Sequence, residues 1–329
     1  MVPYRAIRGF AHRFFRPVRK GRSVAVFAAV GAAVALGGMP AQAEPAQVID
    51  HPIPSVGCVR SAPVPPGTSQ TRTIVSGGIT RSYLLHVPQD YRPLKPTSLV
   101  LSFHGHGRTS EYQEELSGFS ATDAVAVYPL GLVGTDGETA WQGAPYSAAA
   151  DDVLFTSDLL NELQREFCVD PTRIYAAGKS NGGGFTGVLA CQLSGRIAAF
   201  APVSGAFYPE GGACEPQRPA PILDFHGTAD TTIPYDGNPE KGLPPLPDWM
   251  AGWAERNHCA DQPVVRDEAN GVQVSRWLGC DRGSDVVHYR IDGLGHDWPS
   301  TQPNPDSDQP AVLDATPIIM QFFAQHRLR

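Results

Sequence analysis

Residues 173–184 read Arg-Ile-Tyr-Ala-Ala-Gly-Lys-Ser-Asn-Gly-Gly-Gly, and the order of residue types dictates a local shape. Arg173 to Gly178 has the short apolar character of a buried strand, and the residues after Ser180 open a helix. Between them Gly178-Lys179-Ser180-Asn181-Gly182 fits G-x-S-x-G. A serine on so tight a strand-to-helix turn needs small residues two places to either side, because larger side chains there would meet neighbouring backbone. Glycine occupies both places. The following helix aims its N-terminal N–H groups and the positive end of its dipole at negative charge forming beside the serine. The strand-to-helix position weighs against a plain Gly-Ser turn. A phosphate-binding loop, G-x-x-x-x-G-K-[ST], is excluded because Arg173 stands where its first glycine would fall.

Outward from this turn, strand-like and helical runs alternate. Before it come TRTIVS and SYLLHVP around Gly77-Gly78, then SLVLSFHG, a helix near Tyr112 to Phe119, AVAVYPL, and a helix from Asp152 to Phe167. After it come a helix from Gly183 to Leu193, AAFAPVSG, PILDFHG, and a helix through Trp249 to Asn257. The chain then reads as a hairpin in VVRDEANGVQVSRWLG, a strand in DVVHYRIDG and a closing helix from Ala311 to His326. Strands separated by helices of this length imply a mainly parallel central sheet with helices on both faces. A single catalytic domain over residues 71–329 is expected, after an irregular Pro- and Ser-rich arm at 44–70.

A serine hydroxyl is a weak nucleophile and needs a base, which in such an architecture arrives in a loop after the last strand. His296, in GLGHDWP, occupies that place. His86 and His288 fall inside strands, His258 adjoins a cysteine, His51 lies in the arm and His326 on the closing helix, so each reads as structural. Asp230, in FHGTADTTIPY, is the candidate acid, with Asp224 and Asp236 as runners-up. The order Ser180, Asp230, His296 is that of the α/β-hydrolase fold, which is the fold class expected here. The oxyanion hole should combine the backbone N–H of Asn181 with that of His106 in His104-Gly105-His106-Gly107. That turn is explained by backbone geometry, so no metal site and no cofactor is expected. Asp151 and Asp152 are expected to cap the helix that follows them.

The N-terminus suggests a compartment. Six arginines and Lys20 precede an apolar run that ends in Ala41-Gln42-Ala43, the layout of a cleavable leader over residues 1–43. Those residues carry seven basic and no acidic side chains, so their removal would take the formal net charge from −7 to −14. Such a charge opposes binding to nucleic acid or to an anionic membrane. A secreted monomer is expected. All six cysteines lie beyond the leader, an even number suited to disulfides in an oxidising compartment. Cys58 with Cys168, Cys191 with Cys214 and Cys259 with Cys280 are the expected pairs, though sequence alone allows others.

The motifs HGHG, AWQGAP, DDV, AAGKSNGGGFTG, APVSGAFY, HGTAD and GHDWP together resemble the secreted feruloyl esterases of carbohydrate esterase family one, to which the polyhydroxybutyrate depolymerases are related. The resemblance runs from about Cys58 to the closing helix and is most specific from Gly178 to Tyr208. It implies that Ser180, Asp230 and His296 form the triad, and that the substrate is a hydroxycinnamoyl ester such as feruloylated arabinoxylan or its oligosaccharides. It further implies an aromatic slot for the acyl group, for which Trp141, Tyr146, Phe207, Tyr208 and Trp298 are candidates. No carbohydrate-binding module or Ser/Thr-rich linker is read after the closing helix, so soluble oligosaccharide esters are expected over insoluble polymer. Acetylated xylan and short hydroxyalkanoate oligomers remain alternatives, as does a non-catalytic binding protein on the same fold.

Overall fold

Strands Thr68–Ser76 (β1) and Ile79–Val87 (β2) pair as a hairpin across Gly77 and Gly78. Both glycines have left-handed φ, 55° and 79°, the backbone that a two-residue hairpin turn demands. The computed structural model describes residues 47–329; the expected leader lies outside the described residues. From 47 to β1 the arm has one 3-10 turn, Val56–Val59. It is fastened by a hydrogen bond from Ser55 Oγ to Phe167 O (2.9 Å) and by the Cys58–Cys168 disulfide. The other disulfides are Cys191–Cys214 and Cys259–Cys280.

The chain continues through Thr97–Phe103 (β3), helix Ser110–Ser117 (α1), Val125–Pro129 (β4), a small separate ladder of Leu132–Val133 (β5) with Thr139–Ala140 (β6), and helix Asp152–Glu166 (α2). Then come Val169–Lys179 (β7), helix Asn181–Gln192 (α3), Ala199–Val203 (β8), Ile222–Gly227 (β9) and helix Leu246–Arg256 (α4). Val264–Asp267 (β10), Val272–Trp277 (β11), Val286–Ile291 (β12) and helix Ala315–Gln325 (α5) complete it. Ten strands form one sheet in the order β1-β2-β4-β3-β7-β8-β9-β12-β11-β10. The run from β4 to β12 is parallel, and both flanks are antiparallel.

Alternation along the strands explains why both faces are covered. In β3, Leu99, Leu101 and Phe103 join one core and Val100 the other. In β7, Ile174 and Ala176 oppose Tyr175 and Ala177 in the same way. Phe155 and Leu159 of α2, Phe185 and Leu189 of α3 and Trp253 of α4 close the first face. Leu116 of α1 and Ile319 and Phe323 of α5 close the second. At about 25 cal/mol per Å² of apolar surface buried, two such layers supply the main drive for folding. Among the described residues no helix is long and apolar enough to cross a membrane.

Asp151 caps α2, its carboxylate accepting from Leu154 N at 2.7 Å. Asp152 does something else. Buried, it pairs with Arg81 at 2.7 Å and accepts from Gln142 N at 2.7 Å.

The topology also places the site. Going outward from the β3–β7 pair, successive strands follow opposite directions across the sheet, and the loops leaving those two strands part there. Ligands of open parallel sheets bind at such a switch point, beyond the C-terminal strand ends.

Candidate active site

Ser180 stands at that edge, between β7 and α3, with φ 57° and ψ −119°. A non-glycine residue in this region is strained, and three backbone hydrogen bonds hold it there. Ser180 N donates to Val203 O at 3.0 Å, while Ser180 O accepts from Gly184 N and Ala206 N, each at 2.9 Å. The flanking glycines are required. A methyl carbon at 178 would collide with the Gly182 carbonyl, and one at 182 with the carbonyls of Phe103 and His104. The serine is half-buried and its hydroxyl does not cap the helix.

His296 and Asp230 arrive from the loops after β12 and β9, which are sheet neighbours. His296 Nδ1 lies 2.7 Å from Asp230 Oδ2. A carboxylate oxygen only accepts, so Nδ1 donates and Nε2 is left as the nitrogen able to accept a proton. Asp230 Oδ1 accepts from Thr232 N (2.9 Å) and Ile233 N (2.8 Å). Burial alone would raise the Asp230 pKa, yet the hydrogen bonds from His226, His296 and the Ile233 amide hold it far below the usual carboxylate range. Burial lowers the pKa of His296, and the Lys179 ammonium adds to this against the opposing bond to Asp230. The pair is therefore a carboxylate beside a neutral imidazole at neutral pH.

The loop after β3 forms the opposite wall. A methyl carbon on Gly105 would stand 3.3 Å from Ser180 Cβ, so this loop presses on the serine. Gly107 N donates to Thr139 O and Arg108 N to Gly105 O, whereas the His106 N–H is bonded to none of the described residues. Asn181 is the first residue of α3, so its N–H has no carbonyl one turn earlier. Its buried side chain is locked by a reciprocal pair with Trp141, Oδ1 accepting from Trp141 N (2.7 Å) and Nδ2 donating to Trp141 O (3.2 Å). The His106 ring is tied to Asp136 at 2.8 Å and lies 4.3 Å from the Tyr146 ring.

Of the aromatic candidates the structure brings three together and removes two. Tyr146 and Tyr208 meet edge to face at 5.9 Å. Phe207 stacks on Trp249 at 3.6 Å, and both Phe207 and Tyr208 line a cavity of about 310 Å³ with Gly184, Val188 and Trp253. Trp141 is a correction. It has no exposed surface, stacks on Phe185, meets Phe103 at its edge and donates Nε1–H to His104 O, so it supports the loop after β3 from behind. Trp298 is likewise buried, with Phe119 at its edge and Nε1 donating to Thr316. Trp141 is closed off from any substrate ring, and Trp298 borders a different cavity, of about 560 Å³ with Leu116, Pro299 and Met320, not the one that Phe207 and Tyr208 line.

Three residues escaped the sequence reading. Lys179, the variable position before the serine, is buried and pairs with Asp306 at 2.8 Å. Asp306 also accepts from Trp298 N (3.0 Å) and Tyr112 Oη (2.7 Å), so it pins the His296 loop to the nucleophile strand. His226, at the end of β9, touches Asp230.

Fold and site together place the chain in the α/β-hydrolase class, with a serine, a histidine and an aspartate gathered at the sheet edge. The putative esterase NocK of Nocardia uniformis subsp. tsuyamanensis is 30% identical over 91% of this chain and 93% of its own length. The chain belongs to that esterase family. Feruloyl esterase B of Piromyces equi is 33% identical over 66% of the chain, and the bifunctional acetylxylan esterase/xylanase XynS20E of Neocallimastix patriciarum 29% identical over 67%. The chain spans only 42% and 31% of the lengths of these two. An acetyl xylan esterase from Aspergillus awamori shares the fold, with a TM-score of 0.52 at 14% identity over 78% of this chain and 99% of that one. No family model matches the chain.

Proposed function

We propose that the protein is a secreted serine esterase that releases ferulic or related hydroxycinnamic acids from plant cell-wall polysaccharide. The observation that carries the catalytic part is the Asp230–His296 pair at 2.7 Å, set on loops at the same C-terminal edge of the sheet as a strained Ser180. In this reading His296 takes the Ser180 proton as the oxygen attacks the ester carbonyl, and the N–H groups of Asn181 and His106 hold the oxyanion. The protonated His296 then delivers its proton to the departing sugar oxygen, and water attacks the acyl-enzyme with His296 again as base. Asp230 stays ionised throughout, which fits the donors converging on it.

The acyl part rests on the Phe207–Tyr208 cavity, which begins one helical turn from the nucleophile at Gly184 and offers flat apolar walls to a planar ring. The names of the feruloyl and acetylxylan esterase relatives support a cell-wall ester, and the second keeps acetylated xylan as the alternative. Three disulfides support an extracellular location.

The test is release of ferulate from methyl ferulate by the purified protein, beside p-nitrophenyl acetate and the Ser180→Ala variant. Ferulate release that falls by about 10⁴-fold or more in the variant is the expected result. Cleavage of the acetate alone would retain the triad and discard the hydroxycinnamoyl substrate. Inactivity on both would remove the enzyme reading.

A further inference from the structure

The Asp230 carboxylate has a second histidine on it. His226 is fully buried at the end of β9, and its Nε2 lies 3.2 Å from Asp230 Oδ2, the same oxygen that His296 Nδ1 reaches. Nε2 also lies 2.8 Å from Ile233 O. A carbonyl and a carboxylate both only accept, so two acceptors on one nitrogen require that Nε2 carry a proton. The arrangement is a closed one, because Ile233 N in turn donates to Asp230 Oδ1.

We infer that His226 is a positioning residue of the triad: its Nε2–H fixes the Asp230 carboxylate and draws off negative charge that Asp230 would otherwise lend to His296. The consequence is a base that stays unprotonated to lower pH. The surroundings agree. Facing His226 are Asp224 from the same strand, Arg290 as its register partner on β12, and Tyr235 with its ring 6.2 Å away. His288 joins Asp224 to Tyr235 through bonds of 2.8 and 2.9 Å. Burial lowers the His226 pKa, but the bonds to Asp230 and to the Ile233 carbonyl and the charges of Asp224 and Asp230 together outweigh it and carry the pKa upward.

This inference rests on the triad reading above. Ser180→Ala on p-nitrophenyl acetate tests that reading separately, so a failure of the triad is distinguishable from a failure of the His226 role. The experiment compares kcat and KM against pH for the native protein, His226→Phe and His226→Gln on p-nitrophenyl acetate. In His226→Phe, kcat should fall by about tenfold or more with KM little changed, and the acid limb should move up by about 0.5 to 1 pH unit. Glutamine, which still offers an N–H, should recover most of both. An acid limb unmoved in a folded His226→Phe would overturn the inference, whatever the fall in rate. Should the phenylalanine variant not fold, nitrogen-15 NMR of the native protein decides: a proton on His226 Nε2 through the neutral range is expected, and its absence overturns the assignment.

Discussion

Protonating His104 should loosen the loop after β3 and cost stability, by an amount the structure sets. His104 is fully buried; its Nδ1 donates to Gly105 O at 2.7 Å and its Nε2 accepts from Gly131 N at 2.9 Å. A second proton would sit on Nε2 and break the Gly131 bond. Burial is the main reason its pKa falls to about 4, against about 6.5 in the unfolded chain. The fold therefore favours the neutral ring, and the stabilisation is complete above the unfolded value and lost as pH falls from about 6.5 toward about 4. Between about pH 7 and about pH 5 the loss from this one group is about 2 kcal/mol. Urea unfolding of native protein and His104→Phe at the two pH values measures it. His86, His296 and His326, also lowered by burial, act in the same direction but are common to both proteins. The variant should be less stable at both pH values, with its pH dependence smaller by about 2 kcal/mol. An identical pH dependence in the two proteins would refute the reasoning.

Asp230→Asn should lower kcat on p-nitrophenyl acetate by about 10⁴-fold, because an amide no longer selects the Nδ1–H tautomer of His296; circular dichroism should show the fold retained. The acid limb of kcat/KM should fall below the ordinary imidazole value of about 6.5, since the free base is the active form and burial lowers its pKa; a stopped-pH rate profile reads it directly. Gly184→Ala would drive a methyl carbon into the Ala206 carbonyl, whose own N–H holds Ser180 O. The gain in helix propensity, about 1 kcal/mol, is smaller than the overpacking cost of about 1–3 kcal/mol, so both the melting temperature and kcat should drop.

The nucleophile turn is legible in sequence because its sterics leave few choices. Two glycines, a serine and the strand before them are enough, and Cβ collisions at 178 and 182 confirm why. The parallel sheet is legible for a related reason, since strands covered on both faces are apolar at most positions, with buried exceptions such as Asp224 and His226, which pair with His288 and Asp230. Layer assignment is different. Trp141 and Trp298 lie close in sequence to site motifs, but whether an indole faces a cavity or a core depends on which helix packs behind it, here Phe185 of α3 and Phe119 before β4. Asp306 was equally hidden, because its partners Lys179 and Tyr112 are far away along the chain and no local pattern joins them. His226 was overlooked beside Asp230 since a strand-end histidine ordinarily faces a neighbour, and only the loop's return toward β9 brings the carboxylate back to it.

The Cys58–Cys168 bridge makes residues 58–168 a closed covalent ring, with β7 leaving from the knot. The loop after β3 with His106, the proposed oxyanion donor, belongs to the ring, whereas Ser180, Asp230 and His296 all belong to the tail beyond it, outside the two smaller loops closed by Cys191–Cys214 and Cys259–Cys280. A single protease cut inside the ring would release no fragment and would leave the tail with its three side chains joined to both cut ends. Such a nicked protein would run at full mass without reductant and come apart only with it, so damage to the oxyanion half could accumulate unseen by size alone.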